Sequence, residues 1–331
     1  MGENRIMTWK EAFCKSPGPR TAKESFILYV KGLCMGSADV IPGVSGGTIA
    51  LITGIYEQLL EAVKSFDSTA VRRILSLDLK GAVAAVHVRF LVFLLGGIAT
   101  AIISTAKLMN YLLIHHPVPT WSLFFGLIAA SVLVVGRKVT SWDKTTLPAC
   151  MLGVAAAWEI VSLVPVTTPE DMWFVFLSGF IAICAMILPG ISGAFILLIL
   201  GKYAFIIGAL KNPFLVQNVI ILFVFCAGCL AGILSFSRLL SYMLSRWHDI
   251  TLAVLTGLMA GSMKKIWPWK EPVEVAVIMG KPHVLYERNI IPKEGMSMEV
   301  MAAITLAVTG FLIVIALDRL SGAPEKTAVP Q

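Results

Sequence analysis

Long apolar runs separated by short polar stretches dominate this chain. Runs of this length and continuity are typical of membrane-spanning helices, whereas a membrane β-barrel would show strict alternation of apolar and polar positions. The pattern therefore predicts an all-α polytopic membrane protein. The runs lie at about residues 24–41, 48–60, 90–114, 119–136, 146–165, 172–210, 215–245, 249–266 and 298–318.

The polar stretches do not add up to a separate soluble domain. Residues 1–21 have mixed charge and no apolar segment of the kind found in signal peptides, so we expect a cytoplasmic N-terminal segment. Residues 61–89 are amphipathic and basic, and residues 267–297 form a polar stretch with four prolines. Residues 321–331 are expected to be a C-terminal tail.

Two of the apolar runs contain helix-breaking residues at their centres. The first reads DVIPGVSGGTIALITGIYE (39–57) and the second reads ILPGISGAFILLILGKY (187–203). Six positions match at an offset of 147, and five downstream positions match at an offset of 131. The sequence therefore predicts a duplication, with repeat 1 at about 22–165 and repeat 2 at about 170–320. The matched pairs are Pro42/Pro189, Gly43/Gly190, Ser45/Ser192, Gly46/Gly193, Gly54/Gly201, Tyr56/Tyr203, Gly97/Gly228, Ser104/Ser235, Lys107/Arg238, Tyr111/Tyr242 and Gly126/Gly257.

Each repeat is predicted to contain one re-entrant hairpin and about three membrane crossings. The hairpins lie at 24–60 and 172–210, and each returns to the side from which it enters. An odd number of crossings then inverts one repeat relative to the other. Residues 48–60 would form an arm of about 20 Å, which is shorter than the hydrocarbon core of about 30 Å.

The distribution of basic residues tests this topology. With both termini in the cytoplasm, the basic stretches 61–89 and 137–144 are cytoplasmic, and the external loops 115–119 and 165–171 contain no Lys or Arg. One loop disagrees with the rule, because 264–297 is placed outside yet contains six basic residues. They are Lys264, Lys265, Lys270, Lys281, Arg288 and Lys293.

The breaks predict an anion-binding site inside the membrane. Ser45, Gly46, Gly47 and Thr48 would form the N-terminus of the second arm, where unpaired N–H groups and the helix dipole attract negative charge. Ser192 and Gly193 repeat the feature in the second hairpin. A role in helix packing alone is the competing interpretation, since glycine also lets membrane helices approach closely.

Composition restricts the function further. The chain is 57% hydrophobic and 14% charged, and its net charge of +7 is explained by basic loops facing anionic lipid, so nucleic acid is not an expected partner. Cys226 and Cys229 form a CxxC pair without a nearby His or a second pair, which favours a structural role. We expect no metal and no cofactor.

The motif DVIPGVSGGTIALITGIYE, the second PGISG and the duplication resemble a family of polyprenyl-phosphate translocases called PopT, formerly a family of unknown function. The similarity covers essentially the whole chain. It implies a transporter, not an enzyme, that returns undecaprenyl phosphate from the outer to the inner leaflet of the bacterial cytoplasmic membrane. This lipid carries cell-wall (peptidoglycan) precursors outward. The expected partners are the polyprenyl phosphate and the membrane, and the prediction leaves room for a homodimer.

Charged residues within the apolar runs are candidates for handling such a ligand. Lys107 and Arg238 are expected to contact the phosphate, although each lies near the end of its run and could reach the interface as an anchor. Arg89 and Lys31 are weaker candidates of the same kind. Proton or ion coupling is assigned to three carboxylates, Asp39, Glu57 and Glu159.

Two other functions remain open at this stage. Membrane undecaprenyl-pyrophosphate phosphatases have a similar motif, PGxSRSxxT, but Gly46 and Gly193 stand here where the phosphate-holding Arg is expected. An anion channel built on the same hairpins is the other alternative. Release of phosphate from a polyprenyl pyrophosphate would indicate the enzyme, and conductance without lipid movement would indicate the channel.

Overall fold

The computed structural model describes residues 7–40, 45–164, 166, 168–278, 281–292 and 297–321. Pro42 and Gly43 of the first predicted break, and most of the predicted C-terminal tail, lie outside the described residues. The elements in chain order are α1 (Trp9–Lys15), α2 (Ala22–Asp39), α3 (Gly46–Ile52), α4 (Tyr56–Lys64), α5 (Ser68–Leu75), α6 (Leu79–Ala85), α7 (Val88–His115), α8 (Pro117–Gly136), α9 (Thr146–Ile160), α10 (Met172–Ile187), α11 (Gly193–Ile199), α12 (Tyr203–Lys211), α13 (Val216–Arg246), α14 (His248–Ser262), β1 (Lys270–Ile278), β2 (Lys281–Asn289) and α15 (Met298–Ser321).

Within the described chain, four helices are long and apolar enough to cross a membrane: α7, α8, α13 and α15. This confirms a mostly helical, multi-pass membrane protein. About three full crossings were predicted in each repeat, or six in all. They are only partly matched, because α9 and α14 have 15 residues each and are about 22 Å long, shorter than the hydrocarbon core of about 30 Å.

The predicted continuous arm at 48–60 was wrong. It consists of two short helices, α3 and α4, separated at Gly54, which has a φ of 73°. The second segment breaks in the same way at Gly201, where φ is 63° and α11 and α12 meet at 109°. A left-handed residue ends a helix, and glycine adopts this conformation without a steric penalty from a side chain.

Glycines lie where the long helices touch, and their contacts recur at constant offsets. A Cβ on Gly97 of α7 would collide with the carbonyl oxygen of Tyr29 on α2. In the same way, a Cβ on Gly228 of α13 would collide with the carbonyl oxygen of Phe176 on α10. The pairs α2–α7 and α10–α13 are therefore packed through equivalent glycines, which allow close approach of their backbones.

Four further apolar helices, α8, α9, α14 and α15, form pairs between the two halves of the chain. Gly126 of α8 faces the backbone of Ala307 on α15, and Gly257 of α14 faces the backbone of Cys150 on α9. The last helix of each half thus packs on the other half. The main apolar core includes Tyr56, Leu94 and Met259, so it too draws on both halves.

The all-α prediction missed one element. Strands β1 and β2 pair antiparallel within residues 267–297, which were expected to form a polar loop. Trp267 donates a hydrogen bond to the carbonyl of Ile290 (2.9 Å) across the base of this hairpin.

Contacts between connecting segments define two ends of the molecule. At one, which we call the amphipathic end, the N–H of His87 donates to Ser65 Oγ (3.3 Å), and His248 lies 3.9 Å from the carboxylate of Glu57. At the other, the β end, the ammonium of Lys264 lies 4.4 Å from the ring centroid of Trp158 and that of Lys270 lies 3.9 Å from the ring centroid of Trp121.

Candidate functional site

The two broken segments meet in the interior through polar groups. The hydroxyl of Ser45 donates to the carbonyl of Met186 (3.1 Å), and the hydroxyl of Tyr56 donates to that of Ile187 (3.1 Å). In return, the N–H of Gly190 donates to Thr48 Oγ1 (3.0 Å). We call this set the tip contact. Ser45 and Thr48 are 1% and 0% exposed, so their hydroxyls are buried in this conformation.

The N-terminus of α3, predicted to bind an anion, already holds a carboxylate. The N–H of Gly46 donates to Asp39 Oδ1 (2.7 Å), and the N–H of Gly47 donates to Ser45 Oγ (3.1 Å). Asp39 is the last residue of α2, so the chain returns over its own preceding helix. Of the three carboxylates predicted to carry protons, this is the one that the structure brings to a predicted anion-binding group.

The glycines of both breaks fit tight packing. A Cβ on Gly46 would lie 2.6 Å from Asp39 Oδ2, and a Cβ on Gly47 would lie 2.6 Å from the carbonyl oxygen of Ile187. On the second segment, a Cβ on Gly193 would lie 2.7 Å from the carbonyl oxygen of Ala182. The N–H groups of Gly46 and Gly47 are already bonded to Asp39 and Ser45, so an anion can reach them only after these side chains have moved.

The second tip differs from the first in its polar groups. Ser192 precedes α11 as Ser45 precedes α3, but its side chain does not cap the helix. The position matching Asp39 at the offset of 147 is Met186, so the carboxylate belongs to the first segment alone. The two tips are alike in backbone and unlike in charge.

The structure separates Lys107 and Arg238. Arg238 donates to the carbonyl of Phe66 (3.3 Å), which places it at the amphipathic end. Lys107 lies on α7, 20 residues after His87, which is at the amphipathic end. At 1.5 Å per residue, Lys107 is therefore about 30 Å from that end. Both side chains are exposed, and the two cations lie near opposite ends of the molecule.

The other two carboxylates lie away from the tip contact. Glu57 is on the first turn of α4 at the amphipathic end, with its side chain 70% exposed and close to His248. Glu159 is exposed near the C-terminal end of α9. Neither is brought to the residues that join the two segments.

Two lysines bond the C-terminal end of α3, and a third, Lys202, lies just after α11. Lys31 and Lys138 donate to the carbonyls of Thr53 (2.8 Å) and Leu51 (3.2 Å) at the end of α3. Lys202 is 2% exposed and donates to the carbonyl of Thr168 (3.0 Å). Lys31 was predicted as a weaker candidate for phosphate contact and as an interfacial anchor, and Lys138 and Lys202 were not predicted. A lysine beside a break in an apolar run was the available signal, because cations favour helix C-termini.

Comparison with known proteins identifies the relatives of this chain. A family model described as undecaprenyl phosphate translocase-like matches residues 35–281. The chain belongs to this family. The match includes both broken segments and the tip contact between them.

Two curated relatives are named polyprenyl-phosphate transporter. The protein of Vibrio cholerae serotype O1 (strain ATCC 39315 / El Tor Inaba N16961) is 46% identical over 267 residues, covering 80% of this chain and 85% of the relative. The protein of Staphylococcus aureus (strain NCTC 8325 / PS 47) is 31% identical over 258 residues, covering 73% of this chain and 86% of the relative. No solved structure matches the chain.

Proposed function

We propose that this protein transports a polyprenyl phosphate across the bacterial cytoplasmic membrane, returning undecaprenyl phosphate from the outer to the inner leaflet. Family membership and the names of the two relatives support the substrate class. The observation that carries the proposal is the tip contact, in which two broken segments place hydroxyls and backbone N–H groups at a buried junction. Non-helical backbone at such depth is tolerated where protein or a water-filled cavity surrounds it.

The two halves act, in this proposal, as inverted repeats with re-entrant hairpins. The recurring glycine contacts and the matched left-handed glycines support equivalence of the halves. The first hairpin stays associated with the amphipathic end, since Lys138, just after α8, reaches the end of α3. The second hairpin returns toward the β end, since the N–H of Val166 donates to the carbonyl of Ile199 (2.9 Å). The basic amphipathic end then faces the cytoplasm.

The described conformation is a closed state at the centre of the transport path. When the protein opens, the tips of the two broken segments separate. The hydroxyls of Ser45 and Thr48 on the first segment, and of Ser192 on the second, then become free to bind the phosphate head group. The prenyl tail stays in the lipid. Lys107 and Arg238 then contact the head group at separate stages, one toward each end of the molecule.

Asp39 couples this binding to protons. Its carboxylate and a phosphate compete for the N–H of Gly46, so the carboxylate must leave before the anion binds. Protonation removes its charge and weakens this hydrogen bond. A driving force is needed because each charge brought inward against the membrane potential costs about 2.3 kcal/mol per 100 mV. Glu57 and Glu159 are assigned, in the same proposal, to proton exchange at the two surfaces.

Reconstituted protein in proteoliposomes tests the function. We expect labelled undecaprenyl phosphate to move between the leaflets of the proteoliposomes. Liposomes without the protein should not show this movement. Two parallel measurements address the alternatives, namely phosphate released from undecaprenyl pyrophosphate and ionic conductance. Phosphate release or conductance without lipid movement would overturn the proposal in favour of the phosphatase or the channel.

A further inference from the structure

A basic cavity lies at the β end, between the end of α9, the start of α11 and the β hairpin. Its volume is about 280 Å³. Among the described residues that line it, four are cationic and one, Glu287, is anionic. The cations are Lys264, Lys265, Lys270 and Arg288.

Among the described residues that line this cavity, cationic side chains outnumber anionic ones. Glu287 Oε2 lies 3.5 Å from the ammonium of Lys265 and 3.4 Å from that of Lys270. One carboxylate oxygen therefore forms ion pairs with two lysines. The side chain of Lys270 is 8% exposed, and the partners of its Nζ among the described residues are the shared Glu287 carboxylate, outside good hydrogen-bond geometry, and the ring of Trp121. Burying an ammonium that shares its one carboxylate with a second lysine is costly, and an anion in the cavity would lower that cost.

The walls of the cavity connect it to lipid and to the second tip. Trp158 and Leu163 line the cavity and are also exposed on the apolar surface of the molecule. Phe195, whose ring centroid lies 4.9 Å from the ammonium of Lys265, follows Ser192 by three residues. A head group in the cavity could therefore leave an apolar tail in the bilayer, one helical turn from the second break.

We propose that this cavity binds the phosphate monoester head group of a prenyl lipid at the β end, before the head group reaches the tip contact. The assignment rests on the proposed transport function and adds a binding site to it. It also accounts for the excess of basic residues in a segment predicted to be external, because Lys264, Lys265 and Lys270 line a binding cavity.

Binding of farnesyl phosphate to the full chain in lipid nanodiscs tests the site. We expect Lys265→Gln to weaken binding by about tenfold or more, as for loss of a hydrogen bond to a charged group. Glu287→Gln should strengthen binding, because it removes the competing carboxylate. This opposite sign separates a binding role from damage to the fold. Lys64→Gln, an exposed substitution on α4, is the matched control and should leave affinity unchanged.

The outcomes distinguish the site from the transport function. Unchanged affinity in both cavity variants, with transport retained, would overturn the site alone. Absence of transport by the wild-type protein would overturn the function. Inorganic phosphate and farnesol serve as comparison ligands. If both bind more weakly than farnesyl phosphate, the result supports binding of a lipid head group in the cavity. Inorganic phosphate binding as tightly as farnesyl phosphate would assign the cavity to free phosphate and contradict the proposal.

Discussion

Asp39 is the residue on which the proposed coupling depends. We expect Asp39→Asn to bind the phosphate but to lose the response of transport to a pH gradient, since the amide cannot exchange a proton. Transport in proteoliposomes with an imposed gradient at zero membrane potential is the measurement. Glu159→Gln is the comparison, and it should reduce the response to the gradient less, because Glu159 is exposed near the end of α9 whereas Asp39 accepts the hydrogen bond from Gly46. A gradient response that persists in Asp39→Asn would assign the coupling elsewhere.

Lys270 predicts a pH dependence of binding at the β end. Burial lowers the pKa of Lys270 to about 8, with the neighbouring Lys265 acting in the same direction and Glu287 opposing it. The ammonium is therefore lost as the pH rises through about 8. A phosphate monoester has its second pKa near about 6, so its own charge is constant in this range. Affinity for farnesyl phosphate should fall between about pH 7 and 9.

The control for this titration is Lys270→Gln, which should bind more weakly and show a flatter profile over the same range. A wild-type affinity that is constant from about pH 7 to 9 would exclude Lys270 as a ligand for the head group.

At the scale of residues, the sequence predicted the polar groups of the two breaks but not all of their hydrogen-bond partners. The matched serines and glycines predicted a polar break in each segment, and the structure places Ser45 and Thr48 in contact with the second break. The bond from Gly46 to Asp39 was not predicted, because it depends on how the chain folds back over the end of α2. The spacing of seven residues alone does not fix that path.

At the scale of elements, the short helices end at left-handed glycines in two different settings. A Cβ on Gly54 would meet no atom within 4 Å, whereas a Cβ on Gly201 would collide with the carbonyl oxygen of Val166. Gly54→Ala should therefore cost only the conformational penalty, about 1–2 kcal/mol. Gly201→Ala should cost more. Thermal unfolding of the two variants in detergent compares them, and an equal or larger loss of apparent Tm for Gly54→Ala would contradict this difference.

Hydropathy located the elements better than it located their internal breaks. The long helices α7, α8, α13 and α15 follow from apolar length. The separation of α3 from α4 did not follow, since the run continues across Gly54 and only its match with Gly201 marked the position. The β hairpin was missed because four prolines in a polar stretch favoured an irregular loop.

At the scale of the whole molecule, the proposed inversion of the repeats would explain why Lys107 and Arg238 are far apart. Equivalent residues of inverted repeats lie at equal depths on opposite sides of the membrane. The duplication was predicted from the sequence and stays a prediction. The pairing of α8 with α15 and of α9 with α14 was not predicted, because both helices of each pair are apolar on several faces. The resulting arrangement has one cation toward each end, with the tip contact between the two broken segments.

In the proposed function, this arrangement gives each leaflet its own head-group position, and the lipid passes between them. The most direct test is a leaflet-resolved measurement of undecaprenyl phosphate in bacteria with and without this protein. The account predicts that loss of the protein raises the amount in the outer leaflet, and that wild type but not a Ser45→Ala, Ser192→Ala variant of equal abundance restores it. An unchanged outer-leaflet amount in cells lacking the protein and its relatives would contradict transport from the outer to the inner leaflet.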